Sequence, residues 1–226
     1  MEIEIIGTGS SGNCFLFNDN LIVDMGLPKS KMKDIDFGKI KYVLLTHIHA
    51  DHFLEATIRY LSIHYPKILF ICGEWLKKEL LHIGVENIKV IEMNKLYEIG
   101  DYKISGIIAY HDVENCGYRL MQNGHKHIYI TDTSTLEGIT AKNYDTATIE
   151  CNHDFERALE IIEEKREEGE FSHLVRTLDT HLSVQQTIEF CKGNNIKKLI
   201  PVHIGDSTRV EVMEAIGEYE NNKEIR

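Results

Sequence analysis

Short apolar blocks separated by turn-forming residues make up the earlier part of the chain, and longer amphipathic stretches fill its last third. Residues 3–6 read as a strand running into Gly7-Thr8-Gly9-Ser10-Ser11-Gly12. Residues 15–17 and 21–23 read as two more strands, turned at Asn18-Asp19-Asn20. Residues 42–45 are wholly apolar, the pattern of a strand buried on both faces. Residues 54–65 carry a helical pattern that stops at Pro66, residues 68–71 form a strand, and residues 74–82 form a helix closed by Gly84. The middle of the chain predicts strands over 102–109, 118–121, 128–130 and 146–149, with Asn123-Gly124 as a two-residue hairpin turn. Residues 155–168 predict an exposed amphipathic helix. Ser183 followed by Gln186 is a capping box that opens a further helix reaching about Cys191. A strand over 199–202 and a helix over 210–219 complete the order.

Strands come first, then mixed β structure, then alternating α and β. Two packed sheets with helices outside fit this order without being required by it. With 226 residues, no linker-like stretch and no repeat, one domain over residues 1–226 is the simplest organisation. Thirty-six acidic against 25 basic residues give a net charge of −11, so general electrostatic adhesion to nucleic acid is excluded and any such contact must be local or metal-assisted. Five widely spaced cysteines without a CxxC pair point to a reducing compartment. The start of the chain carries no secretory pattern and no apolar run approaches membrane-spanning length, so a cytoplasmic protein with no membrane partner is expected.

The chemistry concentrates in Thr46-His47-Ile48-His49-Ala50-Asp51-His52, directly after the predicted buried strand. In extended backbone, residues i and i+2 face the same way, so His47 and His49 can grip one ion together. Asp51 and His52 follow the turn and can face a second. Imidazole and carboxylate are donors for zinc and its neighbours. A metal site needs more than this stretch supplies, and three further donors sit at predicted strand ends: His111, Asp132 and His203.

This HxHxDH motif, with the later His, Asp and His in order, resembles the metallo-β-lactamase fold superfamily. Within it, Gly9-Ser10-Ser11-Gly12-Asn13-Cys14, residues 21–27, Glu150-Cys151-Asn152-His153-Asp154 and His181-Leu182-Ser183 are similar to the YycJ/WalJ-like branch of metallo-hydrolases, regarded as nucleases. The resemblance implies an α/β fold, an αββα four-layer sandwich of two mixed sheets. It implies two divalent ions, Zn²⁺ ahead of Mn²⁺. His47, His49 and His111 would hold the first, Asp51, His52 and His203 the second, and Asp132 would bridge both. A hydroxide between the ions would be the nucleophile of an exonuclease-like phosphodiesterase, with DNA ahead of RNA as substrate. Asp51, His181 and Glu150 would carry catalysis, with His181 as proton donor to the leaving oxygen and Glu150 orienting it. Asp24 would orient a metal-binding histidine.

Two other readings stay open on residue types alone. One is a small-molecule hydrolase of the same fold, a thioesterase or lactonase. The other is a binding module without activity. His125 and His127 flank Lys126 and are expected to face solvent. His153 reads equally as a phosphate contact or a surface histidine. Oligomeric state is not legible in the sequence.

Overall fold

The computed structural model of the protein describes residues 1–224. The chain divides into two compact units. The first comprises residues 1–108 with 113–116; the second comprises residues 109–112 and the chain from Gly117 onward.

In the first unit, β1 (Ile3–Gly7), β2 (Cys14–Phe17), β3 (Leu21–Val23), β4 (Tyr42–Leu44), β5 (Leu69–Cys72) and β6 (Ile88–Val90) form one six-stranded sheet in chain order. β1, β2 and β3 are joined antiparallel, and β3 through β6 run parallel. β3, β4 and β5 are short apolar runs, as strands covered on both faces are, whereas β6 at the edge carries Lys89 and is only half-buried. Helices α1 (Glu55–His64) and α2 (Glu74–His82) bury Ile58, Leu61, Leu76 and Leu80 in a core shared with Ile22, Val43, Leu45 and Phe70. Parallel pairing places the carboxyl ends of β3, β4 and β5 at one edge. Asp24 and residues 45–52 emerge there.

The second sheet contains β7 (Leu96–Ile99), β8 (Tyr102–Tyr110), β9 (Glu114–Gln122), β10 (His125–Ile130), β11 (Thr146–Glu150) and β12 (Lys198–Val202). Antiparallel pairs β7–β8 and β9–β10 are followed by parallel β10, β11 and β12. The β9–β10 turn falls at Asn123-Gly124, both with positive φ, as the sequence predicts. In the second unit, α5 (Val184–Asn194) packs on β11 and on α6 (Arg209–Glu224) through Val184, Phe190, Cys191, Val212 and Ile216. Ser183 caps α5 with the reciprocal Gln186 bond expected from the sequence. α3 (Phe155–Glu167) presents its acid-rich run to solvent.

Among the described residues, two strands, one α-helix and a single 3-10 turn at Lys29–Lys31 are not predicted by the sequence pattern. β6 and β7 are short and lack a clear alternation, and α4 (Leu174–Thr180) buries only Leu174 and carries no capping signal. The expectation that His127 faces solvent is incorrect. It lies within β10, fully buried, with Nδ1 2.7 Å from the Thr146 hydroxyl, because β11 pairs alongside and covers it. Among the described residues no helix is long and apolar enough to cross a membrane.

Candidate metal centre

In the first unit the motif after β4 is held by two supports. The first is Asp24, just past β3, with a left-handed φ of 60°. Its Oδ1 accepts from the Thr46 backbone N–H (3.0 Å) and hydroxyl (2.9 Å), and its Oδ2 lies 2.7 Å from His52 Nδ1. A carboxylate only accepts, so Nδ1 of His52 carries the proton and Nε2 presents a lone pair. The second support is the glycine-rich turn. Asn13 N–H donates to the Asp51 carbonyl (2.7 Å), Gly26 N–H donates to the Asn13 carbonyl (2.9 Å), and a Cβ at Gly26 would collide with the Asp51 carbonyl. The turn is thus a backbone cradle for the motif.

The four donors of the motif gather there. The His47 ring lies 4.8 Å from His49 and 4.2 Å from His52, centroid to centroid. His52 Nε2 lies 3.6 Å from Asp51 Oδ2. Two lone-pair atoms at that separation suit a shared cation, since bonds of ~2.1 Å in tetrahedral zinc put ligand atoms about 3.4 Å apart. The Asn13 side-chain nitrogen lies 2.8 Å from His52 Nε2 and 3.4 Å from Asp51 Oδ2, a neighbour the sequence reading did not single out.

In the second unit the donors sit at the carboxyl edge of the parallel strands. Asp132 follows β10, Glu150 ends β11 and His203 follows β12. Asp132 and His203 both adopt left-handed φ, 55° and 52°, turning the chain sharply at the strand end. Asp132, Glu150, His181 and His203 each offer an atom within 4.8 Å of all the others. His181, which caps the C-terminus of α4, has Nδ1 2.9 Å from Glu150 Oε2 and 3.5 Å from Asp132 Oδ1. His203 Nδ1 lies 3.4 Å from the same Glu150 oxygen, while Glu150 Oε1 accepts from the Thr133 N–H (2.7 Å). Burial pushes the Glu150 carboxyl up, but the hydrogen bonds from His181 and His203 together outweigh it and hold the group below its ordinary range.

The His111 ring stacks edgewise 5.1 Å from His181. Its Nδ1 faces the Thr180 carbonyl at 3.1 Å, so that nitrogen carries a proton and the ring is held with Nε2 on the far side. Desolvation lowers its pKa, favouring the neutral ring a metal needs. Nε2 in turn lies 3.2 Å from Asp112 Oδ1, and the other Asp112 oxygen is paired with Arg176. Neither Asp112 nor Arg176 carried a signal in the sequence, because no motif or spacing sets them apart from ordinary surface charges. His153 is buried, not at the surface. Its Nδ1 is enclosed without a hydrogen-bond partner, and burial lowers its pKa to about 4.

In the second unit Asp132, Glu150, His181 and His203 therefore form a donor set that fits a divalent cation, and in the first the Asp51–His52 pair offers two donor atoms for one, each set steadied by buried partners. A family model, the beta-lactamase superfamily domain, matches residues 23–204, and the chain belongs to that family. Its fold is the metallo-β-lactamase fold, with two mixed β-sheets flanked by helices, and the family is one of metal-dependent hydrolases. The metallo-beta-lactamase fold protein YhfI from Bacillus subtilis is similar at a TM-score of 0.73, with 17% identity over 94% of this chain and 91% of that one. Human tRNase Z, short form, is similar at 0.64, with 15% identity over 91% of this chain and 93% of that one. Zn²⁺-bound PqqB from Methylobacterium extorquens is similar at 0.73, with 11% identity over 97% of this chain and 96% of that one. No curated protein matches the sequence.

Proposed function

We propose that residues 1–226 act as one dinuclear metal-dependent phosphodiesterase that cuts nucleic acid, DNA ahead of RNA, in an exonuclease-like mode. The kinship this reading draws on is the YycJ/WalJ-like branch, through Gly9–Cys14, Leu21–Leu27, Glu150–Asp154 and His181–Ser183. His47, His49 and His111 would hold one ion, Asp51, His52 and His203 the other, and Asp132 both, with zinc as the metal. The zinc-bound relative supports that metal, and the tRNA-processing relative supports the substrate class. Two divalent ions, when bound, would supply Lewis acidity at the scissile phosphate and at the attacking water.

The chain's own residues do the remaining work. Asp24 holds His52 with its lone pair outward, and the Thr180 carbonyl orients the His111 ring through Nδ1. His181 delivers a proton to the departing oxygen. The observation that carries this reading is the 2.9 Å contact between His181 Nδ1 and the buried Glu150 carboxylate. The carboxylate keeps a proton on Nδ1 and stabilises positive charge on the ring, so the opposite nitrogen can act as an acid. An alkoxide leaving a phosphodiester needs such an acid, whereas a thiolate leaving a thioester needs it far less, which favours the nuclease over the thioesterase reading. A cytoplasmic setting belongs to the same proposal, in keeping with five buried thiols.

The test is a metal-dependence assay on end-labelled double-stranded DNA, single-stranded DNA and RNA side by side. Cleavage that requires the metal and is abolished in His49→Ala and Asp51→Ala is expected. Zinc- or manganese-loaded protein that leaves all three substrates intact overturns the proposal.

A further inference from the structure

α4 is capped at its C-terminus by His181 and delivers a backbone carbonyl and a side chain to the histidine cluster by different routes. The Thr180 carbonyl orients His111, and Arg176, one turn earlier, reaches the carboxylate of Asp112, the residue that follows His111 in the chain. Asp112 spans the two. One oxygen lies 3.2 Å from His111 Nε2 and the other is paired with the guanidinium. Arg176 is therefore separated from the ring nitrogen of His111 only by the width of a carboxylate.

The other described arginines of this unit are engaged elsewhere. Arg157 pairs with Glu160, Glu164 and Glu211, Arg166 with Glu163, and Arg209 with Asp206, while Arg119 donates to the Thr140 carbonyl. Arg157–Glu211 joins α3 to α6 and Arg119 joins β9 to the loop at Thr140, while the remaining pairs are local in the chain and none of them reaches the histidine cluster. The Arg176 side chain is 72% exposed, and only part of its donor fork is spent on Asp112. Exposed ion pairs contribute little to stability, so a competing anion can take the guanidinium from Asp112 at low cost. A planar guanidinium matches two oxygens of a phosphate as well as it matches a carboxylate.

We infer that Arg176 is a substrate-binding residue that takes a backbone phosphate of the nucleic-acid strand lying at the His111–His181 edge, with Asp112 holding it in place before the strand arrives. This rests on the nuclease reading above. It also meets a difficulty that reading raises, because a chain of net charge −11 needs a local cation beside the metals to hold an anionic strand.

The experiment measures binding of a short fluorescein-labelled single strand to metal-loaded protein by anisotropy across a range of salt, alongside cleavage kinetics and metal content. Arg176→Ala is expected to weaken binding about tenfold, equally for two unrelated sequences, and to reduce the salt slope by about one phosphate contact. KM rises while kcat holds, and metal content matches the wild type. Arg176→Lys keeps the salt slope and recovers part of the affinity, since it restores the charge without the fork. If the wild type binds and cuts the strand and Arg176→Ala shows the same affinity and salt slope, this inference is wrong and the nuclease reading stands. If the loss appears in kcat or metal content with affinity unchanged, Arg176 only supports α4 and the inference is again wrong. A wild type that neither binds nor cuts overturns both.

Discussion

Asp24 and His52 meet through a 2.7 Å contact between Oδ2 and Nδ1, and both side chains are completely shielded from solvent. They lie 28 residues apart in the chain. The other Asp24 oxygen takes both the N–H and the hydroxyl of Thr46, so one carboxylate grips the two ends of the histidine-rich segment. A left-handed φ just past the end of β3 aims it there.

That grip makes Asp24 a determinant of metal affinity. Asp24→Ala frees the His52 ring to rotate and leaves the Thr46 N–H buried without its acceptor. Partners of ligand histidines typically matter 10–100-fold, so a loss of metal affinity of about that size is expected, read by competition with a chromophoric chelator. Wild-type affinity in a folded Asp24→Ala protein would show that the contact serves stability alone.

Replacing His181 separates proton donation from metal chemistry. His181→Ala is expected to slow cleavage of an alkoxide-leaving phosphodiester about 10²–10⁴-fold, while bis(p-nitrophenyl) phosphate, whose leaving group departs unprotonated, loses far less. Glu150→Gln should follow the same pattern more weakly. Equal losses on both substrates would remove His181 from the acid role.

Gly26 is a point where the fold admits no side chain. A methyl group there would strike the Asp51 carbonyl, which also accepts from Asn13. Gly26→Ala is expected to cost about 1–3 kcal/mol, the range of overpacked sites, and to displace the Asp51-His52 pair. Thermal melts and metal titration report the two effects. A melt identical to wild type would mean the backbone yields freely.

His127 sets an acid limit on stability. Burial, its largest influence, lowers the imidazole pKa from the usual value near 6.5 to about 3, with His125 adding to the shift. Between those two values the unfolded chain binds a proton that the folded one refuses. The contribution is complete above pH 6.5 and is lost progressively as pH falls toward 3. Urea melts from pH 7 to pH 4 should show stability falling with pH, and the fall should be shallower in His127→Gln. Parallel slopes for the two proteins would contradict this.

Much of the architecture is legible in local patterning. The apolar runs of β2 to β5, the Asn123-Gly124 turn and the Ser183 capping box each report a local rule, and each falls where expected. β6, β7 and α4 do not, because they bury too little apolar surface to leave a periodic trace. His127 was misread for a related reason. Its flanks, His125 and Lys126, look like an exposed turn, and only the pairing of β11 beside β10 encloses it.

By itself, the sequence determined the motif. Four donors within six consecutive positions are bound to stay close whatever the rest of the chain does, and their residue types suit divalent cations. Only the tertiary structure decided which carboxylate stands behind which imidazole, Asp24 behind His52 and Glu150 behind both His181 and His203, and that Asp112 and Arg176 adjoin His111. Those partners are brought together by the register of parallel strands and the docking of α4. Such contacts between distant chain segments leave no spacing in the sequence from which they could be read.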